Sequence, residues 1–375
     1  MFLLVDDGNH PGYLRSMKSI LDRYSIPFTC LGGKFYSKQL EGGSGPIMGG
    51  SLLSWSIGLI TCALKNPRCV YFATPEKISP LKAILYRLLF FRSIAIIQIQ
   101  NLNYWNTPLI SLSLPQGFSK KIRFFWHLVS RGMQRMLFGR CLIALELQSM
   151  QHFYEHGSLG QGSSILVPYD LRFAQTHFQI NPLVKPVEVL VLGSVDPKRR
   201  NHSPVINVIK SFSKTHAASR SLHFRFLTSE FVGEIGLSIK RFLDGFEPSN
   251  QISVSYMTSR ISQDRYQRYL LEADMVIAPV NRSFSNRLGQ EERYGLTKGT
   301  ALLSDVRNSK AEVFLPDYLR TCLSDDNGVQ FYSDLNLFTL ISQSLENLSS
   351  YHRGDDIEQE VESQFSLFLS RDFRP

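Results

Sequence analysis

The sequence predicts an α/β protein made of two doubly wound domains. Three observations carry this expectation. At 375 residues the chain is too long for one ordinary hydrophobic core and suits two of common size. Strand-like and helix-like segments alternate almost throughout, the order that covers parallel sheets with helices on both faces. The alternation then starts afresh after a stiff polar stretch containing Asn181, Pro182, Lys185 and Pro186.

In the first half, residues 2–5 form a short buried strand, followed by a polar loop and an apolar-periodic helix over 13–24. Residues 69–73, 94–99 and 141–145 read as strands, and 148–155 as a helix. After the linker, 187–192 is a strand. Ser203 and Pro204 then supply an N-cap and a first helical residue for a helix over 205–212. Residues 222–227, 252–257 and 275–278 are strands separated by helical patterns, and 311–315 and 328–332 add two more. The last pattern, Ile357, Val361, Phe365 and Phe368, puts one apolar face on a helix that Asp355 and Asp356 cap. The glycine-rich run EGGSGPIMGG, 41–50, reads as a surface loop.

Apolar residues make up 43% of the chain and charged ones 19%, a globular composition. The apolar start, residues 1–5, meets Asp6 and Asp7 and has no basic flank, which argues against a signal peptide. The apolar stretch over 52–64 is interrupted by serines and too short to span a bilayer. The five cysteines, Cys30, Cys62, Cys69, Cys141 and Cys322, are scattered and form no C-x-x-C pair. They suit a reducing, cytoplasmic compartment and offer neither a disulfide framework nor a zinc site, so no metal is expected. A net charge of +9 favours an anionic partner: nucleotide phosphates, acidic lipid or nucleic acid. No zinc-finger spacing or aromatic RNP pattern is present, and nucleic acid is set aside.

Five segments then occur in an order with a familiar counterpart. They are ILVPYD (165–170), VEVLVLGSVDPKRRNHSPVINVIKSF (187–212), YLLEADMVIAPV (269–280), ERYGLTKGTALLSDVRNSKAEVFLP (292–316) and GVQFYSDLNLFTLI (328–341). Together they resemble the retaining GT-B glycosyltransferases of the "glycosyl transferases group 1" type. The resemblance covers most of 187–345 and the first half only in outline. It implies two Rossmann-like domains facing a cleft. Residues 1–168 would be an acceptor-side domain, 169–186 a linker, 187–354 a nucleotide-sugar-binding domain, and 355–375 a helix crossing back to the first domain. It also implies a nucleotide-sugar donor as co-substrate, with no further cofactor, and a glycan or lipid-linked acceptor.

Transfer from a nucleotide sugar expels a diphosphate, so negative charge grows on its oxygens in the transition state, where cations and backbone N–H groups help most. Lys198, Arg199 and Arg200 follow a strand and a glycine and precede a helix, at the sheet edge where open α/β sheets bind ligands. The resemblance makes Arg200 the nearest counterpart of the family's lysine; the bland alternative is a solvated basic loop. The turn Tyr294, Gly295, Leu296 and Thr297 leads toward a helix whose first N–H groups would face the donor, with Lys298 adding a charge. Related enzymes carry two glutamates seven residues apart here. The first has its nearest equivalent in Glu292, displaced by one because Arg293 stands in its place. The second falls on Thr300, which cannot act as a carboxylate, so the ribose grip is altered or supplied by Asp305.

In the first domain, Gly8, Asn9, His10 and Gly12 form a loop after the first strand that the resemblance places in the cleft. His10 would be a proton acceptor or a phosphate contact, or else an exposed turn histidine. Glu292 and His10 are therefore the catalytic candidates. The histidine expected after a middle strand is absent, since Ile99 is followed by Gln100, Asn101, Leu102 and Asn103.

Lys120, Arg123, His127, Arg131 and Arg135 recur at helical spacing, with Ile122, Trp126, Val129, Met133 and Met136 on another face. Such a basic amphipathic helix suits peripheral contact with an anionic membrane surface, or simply packs its apolar face on the sheet. Lys77, Lys82, Arg87 and Arg92 punctuate an apolar run over 85–91 without forming one stripe. The function expected is transfer of a sugar to a growing glycan or lipid-linked acceptor in polysaccharide biosynthesis. A catalytically impaired GT-B-like scaffold is the alternative, kept open by Thr300. A sugar-nucleotide epimerase would need more cleft carboxylates and histidines than the sequence holds.

Overall fold

The computed structural model describes residues 1–6, 11–32, 52–73, 80–100, 121, 125, 142–145, 148–156, 164–167, 186–215, 220–249, 251–259, 261–285, 290–298, 301–309, 311–322, 328–346 and 356–372. The chain divides into two compact units. One comprises Met1–Phe173, Ser285–Gly299 and Asp356–Pro375, the other Ala174–Phe284 and Thr300–Asp355.

The first unit is built on six parallel strands. They are β1 (Phe2–Asp6), β2 (Phe28–Gly32), β3 (Cys69–Phe72), β4 (Ile94–Gln98), β5 (Leu142–Leu145) and β6 (Ser164–Leu166), in the order β2-β1-β3-β4-β5-β6. Its helices are α1 (Pro11–Arg23), α2 (Leu52–Leu64), α3 (Pro80–Leu89) and α4 (Gln148–His156). Alternate residues of each strand point to opposite faces. Phe2, Leu4, Tyr71 and Ile96 pack against Tyr13, Leu14 and Met17 of α1. On the other face Phe72 meets Tyr86 of α3 edge-on, with ring centroids 5.0 Å apart.

The final helix of the chain belongs to this unit. Val361, Phe365 and Phe368 of that helix (Asp356–Asp372) join the same core, and Tyr24 Oη donates to the Glu362 carbonyl at 2.8 Å. Gln364 accepts from the Leu166 N–H at 2.9 Å, so this helix also holds the edge strand β6.

The second unit carries β7 (Val187–Val191), β8 (Leu222–Phe226), β9 (Ile252–Tyr256), β10 (Met275–Ile277), β13 (Glu312–Pro316) and β14 (Val329–Tyr332), in the order β14-β13-β10-β7-β8-β9. All five pairings are parallel. The covering helices are α5 (Ser203–Thr215), α6 (Gly233–Asp244), α7 (Gln263–Glu272), α8 (Ala301–Asn308) and α9 (Leu337–Glu346). Val189, Val191, Phe224 and Ile277 form the core with Val205, Ile209 and Phe212 of α5. A separate two-stranded ribbon consists of β11 (Ser283–Ser285) and β12 (Glu291–Arg293), and the helix that ends the chain is α10.

The expected strands are present within a residue or two of their boundaries. Several elements are additional, among them α3, β6 and β11, and three show why. The 52–64 stretch, read from sequence only as an apolar run, is α2: it is apolar nearly all round, which hides the helical period. β2 (FTCLG) ends in glycine and lacks clear alternation, and β12 lies where a loop was expected.

Candidate functional site

Strand order reverses between β7 and β10, because the chain proceeds outward through β8 and β9 on one side and through β13 and β14 on the other. Ligands of open α/β sheets bind beyond the strand C-termini at such a switch point. Here the loop after β7 is fixed on both sides. Toward β8, Val195 N–H donates to the Glu230 carbonyl at 2.9 Å and Val232 N–H to the Val195 carbonyl at 2.8 Å. Toward β10, Arg200 and Val280 form an antiparallel bridge. Asn201 N–H donates to the Pro279 carbonyl at 3.0 Å, and Asn281 Nδ2 to the Pro197 carbonyl at 2.8 Å. The Tyr318 hydroxyl donates to the Val280 carbonyl and steadies the β10 side.

Asp196 shapes the loop, its carbonyl accepting the N–H groups of Arg199 and Arg200 and its side chain that of Lys198. The three expected cations then separate. Lys198 and Arg199 are exposed, and Arg199 lies over the Phe284 ring at 5.3 Å. Arg200 is half-buried and lies directly across Gly193, where a Cβ would stand 2.0 Å from its Nε. Gly193 also has φ +85°, so it serves twice: it makes the turn and clears the space for the guanidinium.

Just beyond Arg200, α5 begins. The side chain that caps it is Asn201, whose Oδ1 accepts from Ser203 N–H at 3.1 Å, in place of the Ser203 expected from sequence. His202, which the sequence reading passed over, is 3% exposed and stacks on Phe226 with centroids 6.2 Å apart. Its Nε2 is buried without a hydrogen-bond partner. Burial, helped by the neighbouring Arg200 charge, depresses its pKa to about 3, so the imidazole is neutral at pH 7. One half-buried cation, a helix N-terminus and a neutral imidazole are thus gathered at the switch point, a combination suited to an anionic group.

The second expected anion device is built differently. Gly295 again has φ +85°, but the turn closes on itself. The N–H groups of Leu296, Thr297 and Lys298 all donate to the Arg293 carbonyl, at 3.2, 2.9 and 3.0 Å, and Gly295 N–H donates to the Lys298 carbonyl at 2.9 Å. Thr297 Oγ1 accepts from Arg293 N–H at 2.8 Å, and Ser149 Oγ of α4 donates to the Gly295 carbonyl. These amides are therefore engaged within the turn, and the following helix starts only at Ala301, a correction to the expectation of free N–H groups there. Tyr294 and Thr297 are buried, and Lys298 Nζ stands 5.9 Å from the Tyr294 ring.

Glu292 is fully buried on β12, between the exposed Glu291 and Arg293. Asp305, the alternative ribose carboxylate, is also buried and accepts from Tyr266 Oη at 2.7 Å, which joins α8 to α7. Gly8, Asn9, His10 and Thr300 lie outside the described residues, as do the 169–185 linker and most of the 120–140 stripe. Gly12 is buried at the start of α1. Among the described residues no group of three or more His, Cys, Asp or Glu is placed to hold a metal ion, and no helix is long and apolar enough to cross a membrane.

Two parallel six-stranded sheets, each wound on both faces, define the fold of the GT-B glycosyltransferases. Solved structures agree. AviGT4, a glycosyltransferase involved in avilamycin A biosynthesis, is similar over 100% of this chain and 97% of its own, with a TM-score of 0.51 and 13% identity. The N-terminal domain of Candida albicans trehalose-6-phosphate phosphatase is similar over 99% of this chain and 98% of its own, with a TM-score of 0.50 and 11% identity. No family model and no curated protein sequence matches the chain.

Proposed function

We propose that this protein is a glycosyltransferase moving a sugar from a nucleotide-sugar donor to a glycan or lipid-linked acceptor, with retention of anomeric configuration. The observation that carries the reading is the fixed loop after β7, where Gly193 makes room for Arg200 beside the α5 N-terminus. The leaving diphosphate would meet the Arg200 guanidinium near the positive end of the α5 dipole, and its developing charge would be stabilised by a group already in position. Lys198 and Arg199 would draw the donor in from solvent. Glu292 would have to leave its buried position on β12 to hydrogen-bond sugar hydroxyls, His10 would serve as the proton acceptor or phosphate contact, and no metal or cofactor would be required. Peripheral attachment through the basic stripe over 120–140 would bring a lipid-linked acceptor within reach, at the cytoplasmic face of a membrane.

One observation favours a second reading, a binding scaffold that does not turn over: the 295–298 amides are engaged, and the resemblance adds that Thr300 stands where related enzymes carry a carboxylate. Thermal shift and donor hydrolysis with UDP, GDP and dTDP sugars separate the two. A donor that both stabilises the protein and is consumed supports transfer, stabilisation without consumption supports the scaffold, and neither response removes both.

A further inference from the structure

The charge of this chain is concentrated. Residues 77–145 hold ten lysine and arginine residues and no aspartate or glutamate, whereas the rest of the chain holds 31 basic and 32 acidic residues. Two helices of the first unit, α2 and α3, lie in or beside this region, and both are consecutive crossovers running the same way across the sheet, from β2 to β3 and from β3 to β4. Right-handed connections put both on the same face. Their C-terminal turns meet at one edge: Ser93 Oγ donates to the Pro67 carbonyl at 2.6 Å and Ile94 N–H to the Arg68 carbonyl at 2.9 Å.

Each helix buries one side and leaves an apolar stripe outside. In α2, Leu59 and Cys62 face the core while Ile57, Ile60 and Leu64 are exposed, Leu64 at 77%. In α3, Tyr86 and Phe90 are buried while Ile84, Leu88 and, just past the helix, Phe91 are exposed, the last two at 66% and 60%. Large apolar side chains exposed on two helices of the same sheet face are unusual on a protein with no partner there. Lys65, Arg68, Arg87 and Arg92 are exposed among them, and among the described residues none pairs with a carboxylate.

We propose that the α2–α3 face of the first unit docks on an anionic lipid surface, with Leu64, Leu88 and Phe91 entering the interface and Lys65, Arg87 and Arg92 meeting phosphate headgroups. The mixture selects this occupant. Nucleic acid would satisfy the cations and leave the leucines in water, and a second copy of the same face would set like charges against each other. A bilayer interface accepts both, as it does for basic amphipathic helices, with the arginine and lysine stems lying along the apolar layer and their heads reaching outward. This contact is independent of the sugar-transfer reading and rests on α2, α3 and their own cations, Lys65, Arg68, Arg87 and Arg92; six of the ten basic residues over 77–145 belong instead to the 120–140 stripe.

The test is flotation of the full chain with vesicles of phosphatidylcholine alone or mixed with phosphatidylglycerol, at low and high salt. Wild type should float with the mixed vesicles at low salt only. Leu64→Glu with Leu88→Glu should lower the bound fraction about tenfold or more, since both positions are already exposed and the change leaves the fold intact. Arg87→Ala with Arg92→Ala should lower it by a similar factor and flatten the salt dependence. Failure of wild type to float, or equal flotation of wild type and both variants, overturns the proposal. So does a concentration-dependent dimer that Leu88→Glu dissolves while no vesicle is bound. Thermal shift with UDP, measured on the same samples, keeps this outcome separate from the donor reading: both variants should shift as wild type does.

Discussion

Gly193 and Gly295 have the same backbone conformation, φ +85°, and the same sequence setting, a glycine between a strand and a helix next to basic residues. They do different work. Around Gly193 the missing side chain is filled by the Arg200 guanidinium, and the loop is held by its neighbours on two strands. Around Gly295 the missing side chain lets a tight turn close, and the turn's own carbonyls take up its N–H groups. A left-handed glycine therefore marks a place where the backbone turns sharply. Whether it faces a ligand depends on where the neighbouring groups go: the first turn sets the half-buried Arg200 guanidinium at the switch point, whereas the amides of the second are taken up by its own carbonyls.

The contrast can be tested by breaking each turn. The largest effect should come from Arg200→Ala, which removes the charge nearest the expected diphosphate. Turnover should fall by roughly a hundredfold or more, about 2–4 kcal/mol of transition-state stabilisation, with the melting temperature little changed. Wild-type turnover at saturating donor would show that the diphosphate lies elsewhere. Glu292→Gln should follow, lowering turnover by about ten- to a hundredfold as a charged hydrogen bond to the sugar is weakened. Steady-state kinetics beside a denaturant melt separates this from a folding defect, and equal loss in both would reduce Glu292 to a buried structural group.

His202 sharpens the comparison through pH. In the unfolded chain it ionises near 6.5, but in the folded protein only near pH 3. As pH falls below 6.5 the unfolded state takes up a proton that the folded state refuses. Stability should therefore decline toward pH 3, with a slope approaching about 1.4 kcal/mol per pH unit from this group; above pH 6.5 the group adds no pH dependence. His202→Phe should flatten that limb in melts taken between pH 4 and 7 (roughly the window spanned by the two values). The smallest effect belongs to the other turn. Thr297→Val should lose the bond to Arg293 N–H, about 1 kcal/mol, and leave donor binding unchanged. A large fall in donor affinity would return the 295–298 turn to the binding site.

The strands of both sheets were legible because β-branched and apolar runs between turn residues carry their own signal, as in VEVLV and MVI. The Arg200 loop was legible for a related reason: strand, glycine, cations and helix occur within one short stretch. Other parts had no such signal. α2 has apolar residues on its exposed side as well as its buried one, so its period is blurred. The closure of the 295–298 turn depends on which carbonyl accepts each N–H, which residue types do not encode. His202 stands in the polar string RRNHSP, and only its tertiary neighbour Phe226, far along the chain, makes it buried and neutral. The alternation of exposed, buried, exposed over Glu291, Glu292 and Arg293 could have suggested a strand, but three residues are too few to establish a period.

The seating of α10 has a consequence for synthesis on the ribosome. Phe365 packs against Phe2 and Tyr24, with ring centroids 6.2 and 5.7 Å away, so a face begun by Phe2 and Tyr24 is completed only after the whole second sheet has been made. Until then Phe2 and Tyr24 lack their covering rings, while every strand of the second sheet has already been made. The nascent chain would hold a half-covered apolar surface while the second sheet is being made, the situation in which chaperone capture or aggregation competes with folding. The unit that starts first would finish last, and the second could be complete before it.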